Sequence, residues 1–323
     1  MPELLAAISQ RDKASNSYIG NKKTENYNSI LKEIFTNTKT KNKINYSLNG
    51  IASLLNLITF IAGNFNLLEK GQEKLNSISE TLAKFAFSCV SIIGAVDFWQ
   101  KKNLFPFIGY VLAVPLTLLS SGYDFWLTMG VSSGFANFIV ITDQREVVDK
   151  NGNPIKNKNG QVKVLNGDFS ERGWLNGIQL TYNETFKMLK ELIEKPSNIK
   201  KVSHAALISS LVEILGGSLG LFNMKAIGAT LRNTATICAE SSMLLHKDIK
   251  NNSSNNNTNN FINFKSPVAQ SGILWIGTSL IDLLKRFDSI TNKVNNLTHL
   301  SLFFDRLASI RFTQAILNIK KDH

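Results

Sequence analysis

Residues 104–142 read LFPFIGYVLAVPLTLLSSGYDFWLTMGVSSGFANFIVIT, and Asp124 is the only charged residue among them. A helix rises about 1.5 Å per residue, so roughly 20 apolar residues span the hydrocarbon core of a bilayer. Residues 104–123 reach that length without a charge, and residues 125–142 are nearly as long. The turn-forming residues 120–124 separate the two halves. The stretch therefore predicts a helical hairpin that crosses a membrane and returns.

Pairs of glycines recur in the apolar segments. Gly130 and Gly134 are four residues apart in the central hairpin, and Gly216 and Gly220 have the same spacing further along the chain. Small residues at this spacing let two helix backbones approach closely in lipid. We expect these four glycines to be helix-packing positions. Their small-residue faces also allow a homo- or hetero-oligomer.

Weaker apolar segments flank the central hairpin. Residues 48–68 predict a membrane-spanning helix with a seam of polar side chains, mostly asparagines. Residues 85–96 continue this pattern but are too short to span a bilayer unless Lys84 extends toward the surface. Residues 202–245 predict a second hairpin. A third begins at the apolar residues 268–281 and returns through an amphipathic helix.

The segment between the first two hairpin regions has a different character. Residues 147–154 and 159–164 contain Asn-Gly turns and short alternating runs, which is a β-hairpin signal. Gln179–Lys195 then predicts an amphipathic helix that lies on an apolar surface. Its apolar positions follow helical spacing: Tyr182, Phe186, Leu189 and Ile193.

These patterns predict an all-α, multi-pass helical-hairpin membrane protein with a small soluble insert that contains a β-hairpin. The expected units are a basic polar tail (1–46), helical hairpins including the central transmembrane hairpin (47–142), the soluble insert (143–200), a second hairpin (201–249), an Asn-rich linker (250–266) and a C-terminal hairpin (267–323).

The chain is basic, with 36 Lys and Arg against 24 Asp and Glu. No basic face with interleaved aromatics and no nucleic-acid motif accompanies this charge, so we do not expect a nucleic-acid partner. Lysines near apolar helices favour anionic lipid headgroups and the bilayer as partners. Their distribution predicts that the N-terminus and the 143–200 insert lie on the cytoplasmic side. The two cysteines, Cys89 and Cys238, fall in apolar segments and are expected to be buried thiols.

Charged residues interrupt the second apolar region. A charge at the centre of a membrane helix costs about 2.5–3.5 kcal/mol on insertion scales, so each is expected to have a partner. If the hairpin turns near residue 222, Glu213 and Arg232 lie at the same depth. We predict that they form an intramembrane ion pair. His204 and Glu240 match in depth almost as well, but they lie on another side of their helices, and that pairing stays open.

No metal-ligand spacing, phosphate-binding loop, dinucleotide fingerprint or nucleophile elbow is found in the sequence. We therefore predict no enzyme, no catalytic residues, no cofactor and no metal. The first hypothesis is a scaffold, assembly or membrane-shaping protein that works by contact. The second is a transporter or channel with a polar path along Asn56, Asn64, Asp97, Glu213 and Arg232. Broken helices with convergent polar groups would favour that reading. The third is a soluble or peripheral helical protein with a buried central hairpin.

Overall fold

The computed structural model describes residues 36–68, 70–120, 123–143, 169–200, 202–244, 267–291 and 293–317, with single positions between 147 and 167. Every regular element among these residues is a helix, and most are joined by short turns. The helices are α1 (Thr38–Asn64), α2 (Gln72–Gln100), α3 (Leu104–Leu119), α4 (Tyr123–Ala136), α5 (Phe138–Asp143), α6 (Gly173–Glu194), α7 (Val202–Leu221), α8 (Lys225–Met243), α9 (Pro267–Leu284), α10 (Asp288–Thr291) and α11 (Leu297–Leu317).

Eight of these helices form a closed ring. In order around the ring, α1, α2, α3, α4, α7, α8, α9 and α11 each pack against the next, and α11 closes the ring on α1. Consecutive helices in the ring run up and down, so the apolar hairpins predicted from the sequence are present as antiparallel pairs. The helix α6 lies outside this ring and contacts the ends of α3 and α7.

The helix α1 has its polar face inside and its apolar face outside. Its buried side chains are small or polar, and Asn45, Asn49 and Asn56 are completely buried. Ile51, Leu54 and other large apolar side chains of α1 are exposed. A helix of a water-soluble protein turns its apolar stripe toward the core. Exposed apolar side chains also lie on α2, α7 and α9, so the outer surface of much of the ring is apolar.

The buried polar side chains of α1 bind partners on neighbouring helices. Asn49 Oδ1 accepts a hydrogen bond from Arg306 of α11 at 3.2 Å, and Asn45 donates to the carbonyl of Ile310 at 3.1 Å. Near the start of α1, Lys41 Nζ lies 3.3 Å from a carboxylate oxygen of Asp97 in α2. Because an unpaired polar group is costly away from water, these bonds explain why asparagines occupy the interior.

In the part of the chain that the structure describes, four helices are long and apolar enough to cross a membrane: α1, α2, α7 and α9. The central hairpin, from which the fold was predicted, is helical but shorter. Its first helix, α3, has 16 residues and α4 has 14, because the backbone turns at Ser120 and breaks again at Asn137. The two arms are therefore shorter than the uncharged sequence suggested.

The helix α2 corrects a sequence expectation. It has 29 residues, from Gln72 to Gln100, whereas residues 85–96 had been expected to be too short to span a bilayer. The charged residues that seemed to limit it are accommodated within the helix. Lys84 Nζ lies 3.0 Å from Glu80 and donates to the carbonyl oxygen of Ser120 at 2.9 Å. The helix α1 likewise begins at Thr38, inside the segment expected to be a polar tail.

The predicted β-hairpin in the 143–200 insert is not supported, since no strand occurs in the part of the insert that the structure describes. A local turn closes instead. Asp149 N–H donates to the Asn153 carbonyl and Ile155 N–H donates to the Val147 carbonyl, both at 2.8 Å. The Asp149 carboxylate accepts hydrogen bonds from the backbone N–H groups of Asn151 and Asn153. These side-chain bonds stabilise a compact turn without an extended ladder.

The predicted amphipathic helix of the insert is present as α6, which begins six residues earlier, at Gly173. Its apolar positions are not all covered: Tyr182, Phe186 and Ile193 are exposed. Cys238 is also exposed, contrary to expectation, because it lies on the outer face of α8.

Candidate functional site

The ring encloses a cavity of about 100 Å³. Seven helices line it: α2, α3, α4, α7, α8, α9 and α11. Water needs only about 10–15 Å³ of such volume, and an apolar cavity of 150 Å³ accepts benzene. The cavity can therefore hold a few waters or a ligand of roughly four heavy atoms.

Glu213 of α7 lies at the wall of this cavity and is 2% exposed. Asn137 Nδ2 donates to one carboxylate oxygen at 3.0 Å, and the Thr236 hydroxyl donates to the other at 2.7 Å. Hydrogen bonds to a charged group contribute about 1.5–3 kcal/mol each, so two of them are comparable to the cost of placing the charge in a membrane helix. Hydrogen bonds from Asn137 and from Thr236 of α8 therefore fix the orientation of the Glu213 carboxylate.

Asn137 lies where the helix is interrupted. The helix α4 ends at Ala136 and α5 begins at Phe138, so Asn137 is the single residue between them. The interruption is local, since the Asn137 N–H still donates to the Ser133 carbonyl oxygen at 2.8 Å, and the Asn137 side chain reaches Glu213 of α7. Polar groups gathered at an interrupted helix are how many membrane carriers build a binding site.

The predicted partner of Glu213, Arg232 of α8, also lines the cavity and is buried. The two side chains are close enough to interact electrostatically. Arg232 in addition borders a smaller pocket of about 10 Å³ beside Asp282 and Lys285. Both residues therefore line the same cavity, and their ion pair stays a prediction.

Glu240 of α8 is a second buried carboxylate at the cavity wall, 2% exposed. Its Oε2 atom has no hydrogen-bond partner in the described parts of the chain. Burying such an oxygen without a donor costs free energy. This carboxylate differs from Glu213, whose two oxygens both accept hydrogen bonds from protein donors.

The helix α11 contributes a third carboxylate to the cavity, that of Asp305. Trp275 Nε1 donates to its Oδ1 atom at 3.1 Å, and Arg306 pairs with Oδ2. Four aromatic side chains complete the lining: Phe87, Tyr110, Trp275 and Phe312. Trp275 and Phe312 form an edge-to-face pair with ring centroids 4.9 Å apart. The cavity thus combines carboxylates with aromatic surface.

The four glycines predicted to be helix-packing positions lie at close contacts between the helices around this cavity. A Cβ atom on Gly134 would be 2.5 Å from the side chain of Ile214 and 2.7 Å from the carbonyl oxygen of Ser210. A Cβ on Gly216 would lie 2.7 Å from the Gly228 carbonyl oxygen. Gly130 faces Gly217, and Gly220 faces Leu127. The helix α7 is therefore held closely between α4 and α8.

The polar path expected from the sequence is only partly assembled. Glu213 and Arg232 line the cavity, but Asn56, Asn64 and Asp97 do not. Asn56 Oδ1 is 2.8 Å from a ring nitrogen of His299, and Asn64 bonds to the backbone of Asn295. Asp97 lies between Lys41 and Lys101. These three residues join helices elsewhere in the ring.

Several cavity residues were not predicted, namely Asn137, Trp275 and Asp305. Asn137 is the only amide in the predicted hairpin, and that exception was the available signal. Asp305 could not be found from sequence, because its place at the cavity depends on how the ring closes. His204, whose partner was left open, has its Nε2 atom 2.7 Å from Glu191 Oε2 of α6.

Comparison with protein-family models, curated proteins and solved structures gives no match to this chain.

Proposed function

We propose that this chain is an integral membrane protein that carries a small polar solute through the cavity at the centre of its ring. The observation that carries this proposal is the meeting of Asn137, at a helix break, with the buried carboxylate of Glu213. Ionisable residues within membrane helices are rare and mark substrate or ion pathways more often than other positions do. The discontinuous α4–α5 arm and the convergent polar side chains favour a carrier over a purely structural bundle.

The membrane part of the proposal rests on the distribution of side chains. The four long helices α1, α2, α7 and α9 expose apolar side chains, and α1 also buries three asparagines. In water, exposed apolar surface of this extent would promote aggregation. Alkaline carbonate washing of vesicles that contain the chain tests this part, and the chain should stay with the membrane pellet.

The carrier part is tested by solute uptake in proteoliposomes. Radiolabelled ethylammonium, urea and acetate represent small cations, neutral polar solutes and anions. At least one should enter faster than into protein-free liposomes, and Glu213→Gln should abolish the difference. Glu194→Gln is the matched control, because Glu194 is an exposed carboxylate on α6. Equal uptake with and without protein for all three would contradict the carrier role.

A second proposal keeps the contact-based role of a scaffold, assembly or membrane-shaping protein, and α6 favours it. This helix is held at both ends across one end of the ring: Trp174 packs on Trp99 with ring centroids 5.0 Å apart, and Glu191 contacts His204. Between these anchors it exposes Tyr182 and other apolar side chains. Such a face suits the headgroup region of a bilayer.

Anionic lipid is the partner that the charges near α6 favour. Lys102 lies 5.2 Å from the ring centroids of both Trp99 and Trp174, at the end of the ring that α6 crosses. Lys187 and Lys190 lie on α6 itself. We propose that this end faces the cytoplasm, since lysines concentrate on that side of membrane proteins and cytoplasmic leaflets carry anionic lipid.

A further inference from the structure

We propose that the central cavity binds a small organic ammonium ion, whose charged group lies against Glu240 and whose alkyl part lies against the aromatic wall. This inference rests on the proposed carrier function for its biological role. It names the chemical class of the solute, which the proposed function leaves open.

The charge of the cavity favours a cation. Among the described residues three carboxylates line it, those of Glu213, Glu240 and Asp305. Two guanidinium groups compensate them: Arg232 in the lining, and Arg306, which pairs with Asp305 from behind. If all five groups are ionised, one negative charge is left over. An anion entering this space would meet repulsion, whereas a cation would restore neutrality.

Hydrogen bonding indicates which of the three carboxylates can accept a further donor. Both oxygens of Glu213 accept hydrogen bonds from protein donors, as do both oxygens of Asp305. The Oε2 atom of Glu240 has no such donor among the described residues, although the side chain is buried and lines the cavity. An N–H donor with positive charge would satisfy this oxygen.

The aromatic lining distinguishes an organic cation from a metal ion. Trp275, Phe312, Tyr110 and Phe87 all border the cavity, and aromatic faces attract ammonium groups by about 0.5–2 kcal/mol each. Arg306 already makes a cation–π contact of this kind, since its guanidinium carbon lies 4.8 Å from the Phe87 ring centroid. Among the described residues no group of three or more His, Cys, Asp or Glu side chains is arranged to hold a metal ion.

The size of the cavity limits the ligand. A volume of about 100 Å³ is smaller than the 150 Å³ that accepts benzene, so the ion should have roughly three to five heavy atoms. Ethylammonium and tetramethylammonium fall in this range. The first can donate N–H groups to Glu240, and the second interacts through charge and aromatic contacts alone.

Thermal unfolding of the full chain in detergent tests the inference. Ethylammonium chloride should raise the Tm by several degrees more than potassium chloride at the same ionic strength, and 1-propanol, a neutral molecule of similar size, should not. A ligand that binds only the folded state stabilises it in proportion to the logarithm of its concentration over Kd. Titration therefore yields an apparent affinity.

Two substitutions locate the ligand. Glu240→Gln should weaken the apparent affinity for ethylammonium at least tenfold, while Glu194→Gln leaves it unchanged. Phe312→Leu should weaken tetramethylammonium binding about two- to fivefold, as expected for the loss of one aromatic contact. Phe287→Leu is its control, since Phe287 is exposed and does not line the cavity. If Glu240→Gln does not fold, the wild-type comparison of ethylammonium with 1-propanol and the Phe312→Leu result still test the inference.

Equal stabilisation by potassium and ethylammonium, or wild-type ethylammonium affinity in a folded Glu240→Gln chain, would overturn the inference. Binding of ethylammonium that depends on Glu240, without uptake into proteoliposomes, would retain the site and remove the carrier role. Glu213-dependent uptake of urea or acetate by a chain that binds no ammonium ion would retain the carrier role and overturn the cation class.

Discussion

Asn137 Nδ2 lies 3.0 Å from Glu213 Oε2, so the residue between α4 and α5 donates to a carboxylate buried in α7. The bond links the central hairpin to the second hairpin beside the cavity. Glu213 therefore joins neighbouring helices and also lines the cavity in which binding is proposed.

Removing charge from one side of the Glu213–Arg232 pair should cost more than removing both charges. Arg232→Leu leaves a buried carboxylate without its cation, and breaking a buried ion pair in this way costs about 3–5 kcal/mol. The Glu213→Leu, Arg232→Leu double variant should regain part of that loss. Thermal unfolding in detergent measures the difference.

The exposed pair Lys190–Glu194, at 3.7 Å on α6, is the control for that comparison. Substituting both residues by Leu should change stability by about 1 kcal/mol or less, because solvent-exposed pairs contribute little. A double Glu213, Arg232 variant that is no more stable than Arg232→Leu would contradict the coupling. A folded double variant that has lost solute uptake would assign the pair to function as well.

Adding one methyl group at the α4–α7 contact should destabilise the ring. Gly134→Ala places a Cβ 2.5 Å from the side chain of Ile214, and overpacking of this kind costs about 1–3 kcal/mol. Gly50→Ala is the matched control: its Cβ meets no atom within 4 Å, and an alanine within a helix is favoured over glycine by about 0.5–1 kcal/mol. Gly134→Ala should lower the Tm and Gly50→Ala should raise it or leave it unchanged. Equal shifts would rule out close packing at Gly134.

The sequence predicted where the helices lie along the chain more accurately than it predicted their lengths. Uncharged runs indicated the helical hairpins, but they did not reveal that α2 continues through Lys84, because its ion pair with Glu80 and its bond to Ser120 depend on the folded arrangement. The β-hairpin prediction was wrong for the described part of the insert because the Asp149 carboxylate bonds locally to backbone N–H groups. Asn-Gly turns do not distinguish such a turn from a hairpin.

The sequence singled out Glu213 and Arg232 of the candidate site, but not Asn137, Trp275 or Asp305. Equal depth in one hairpin predicted that Glu213 and Arg232 lie near each other, and both line the cavity, because sequence distance from a turn translates into height along two antiparallel helices. Asp305 and Trp275 belong to the third hairpin, and no sequence rule states which hairpins face one another. The cavity depends on the closure of the ring by α11 against α1.

The exposed face of α6 should lie in the headgroup region of a bilayer. A fluorophore on Cys introduced at Phe186, after Cys89 and Cys238 are replaced by Ser, should be quenched by lipids carrying a nitroxide near the headgroup. The same label at Lys187, on another side of α6, should be quenched less. Quenching should increase in vesicles with phosphatidylserine, because lysines attract anionic lipid. Equal, weak quenching at both positions would place this face in water.

The apolar outer face of α1 tests the central claim most directly. Leu54 is 58% exposed, while Asn56, two residues away, is completely buried. In proteoliposomes, a nitroxide attached at position 54 of the chain without native cysteines should collide far more with oxygen, which concentrates in lipid, than with a water-soluble nickel complex. A label at Asn151, exposed in the turn of the insert, provides the aqueous reference. Collision with nickel at position 54 as frequent as at position 151 would contradict a ring of helices embedded in lipid, and with it the proposed carrier.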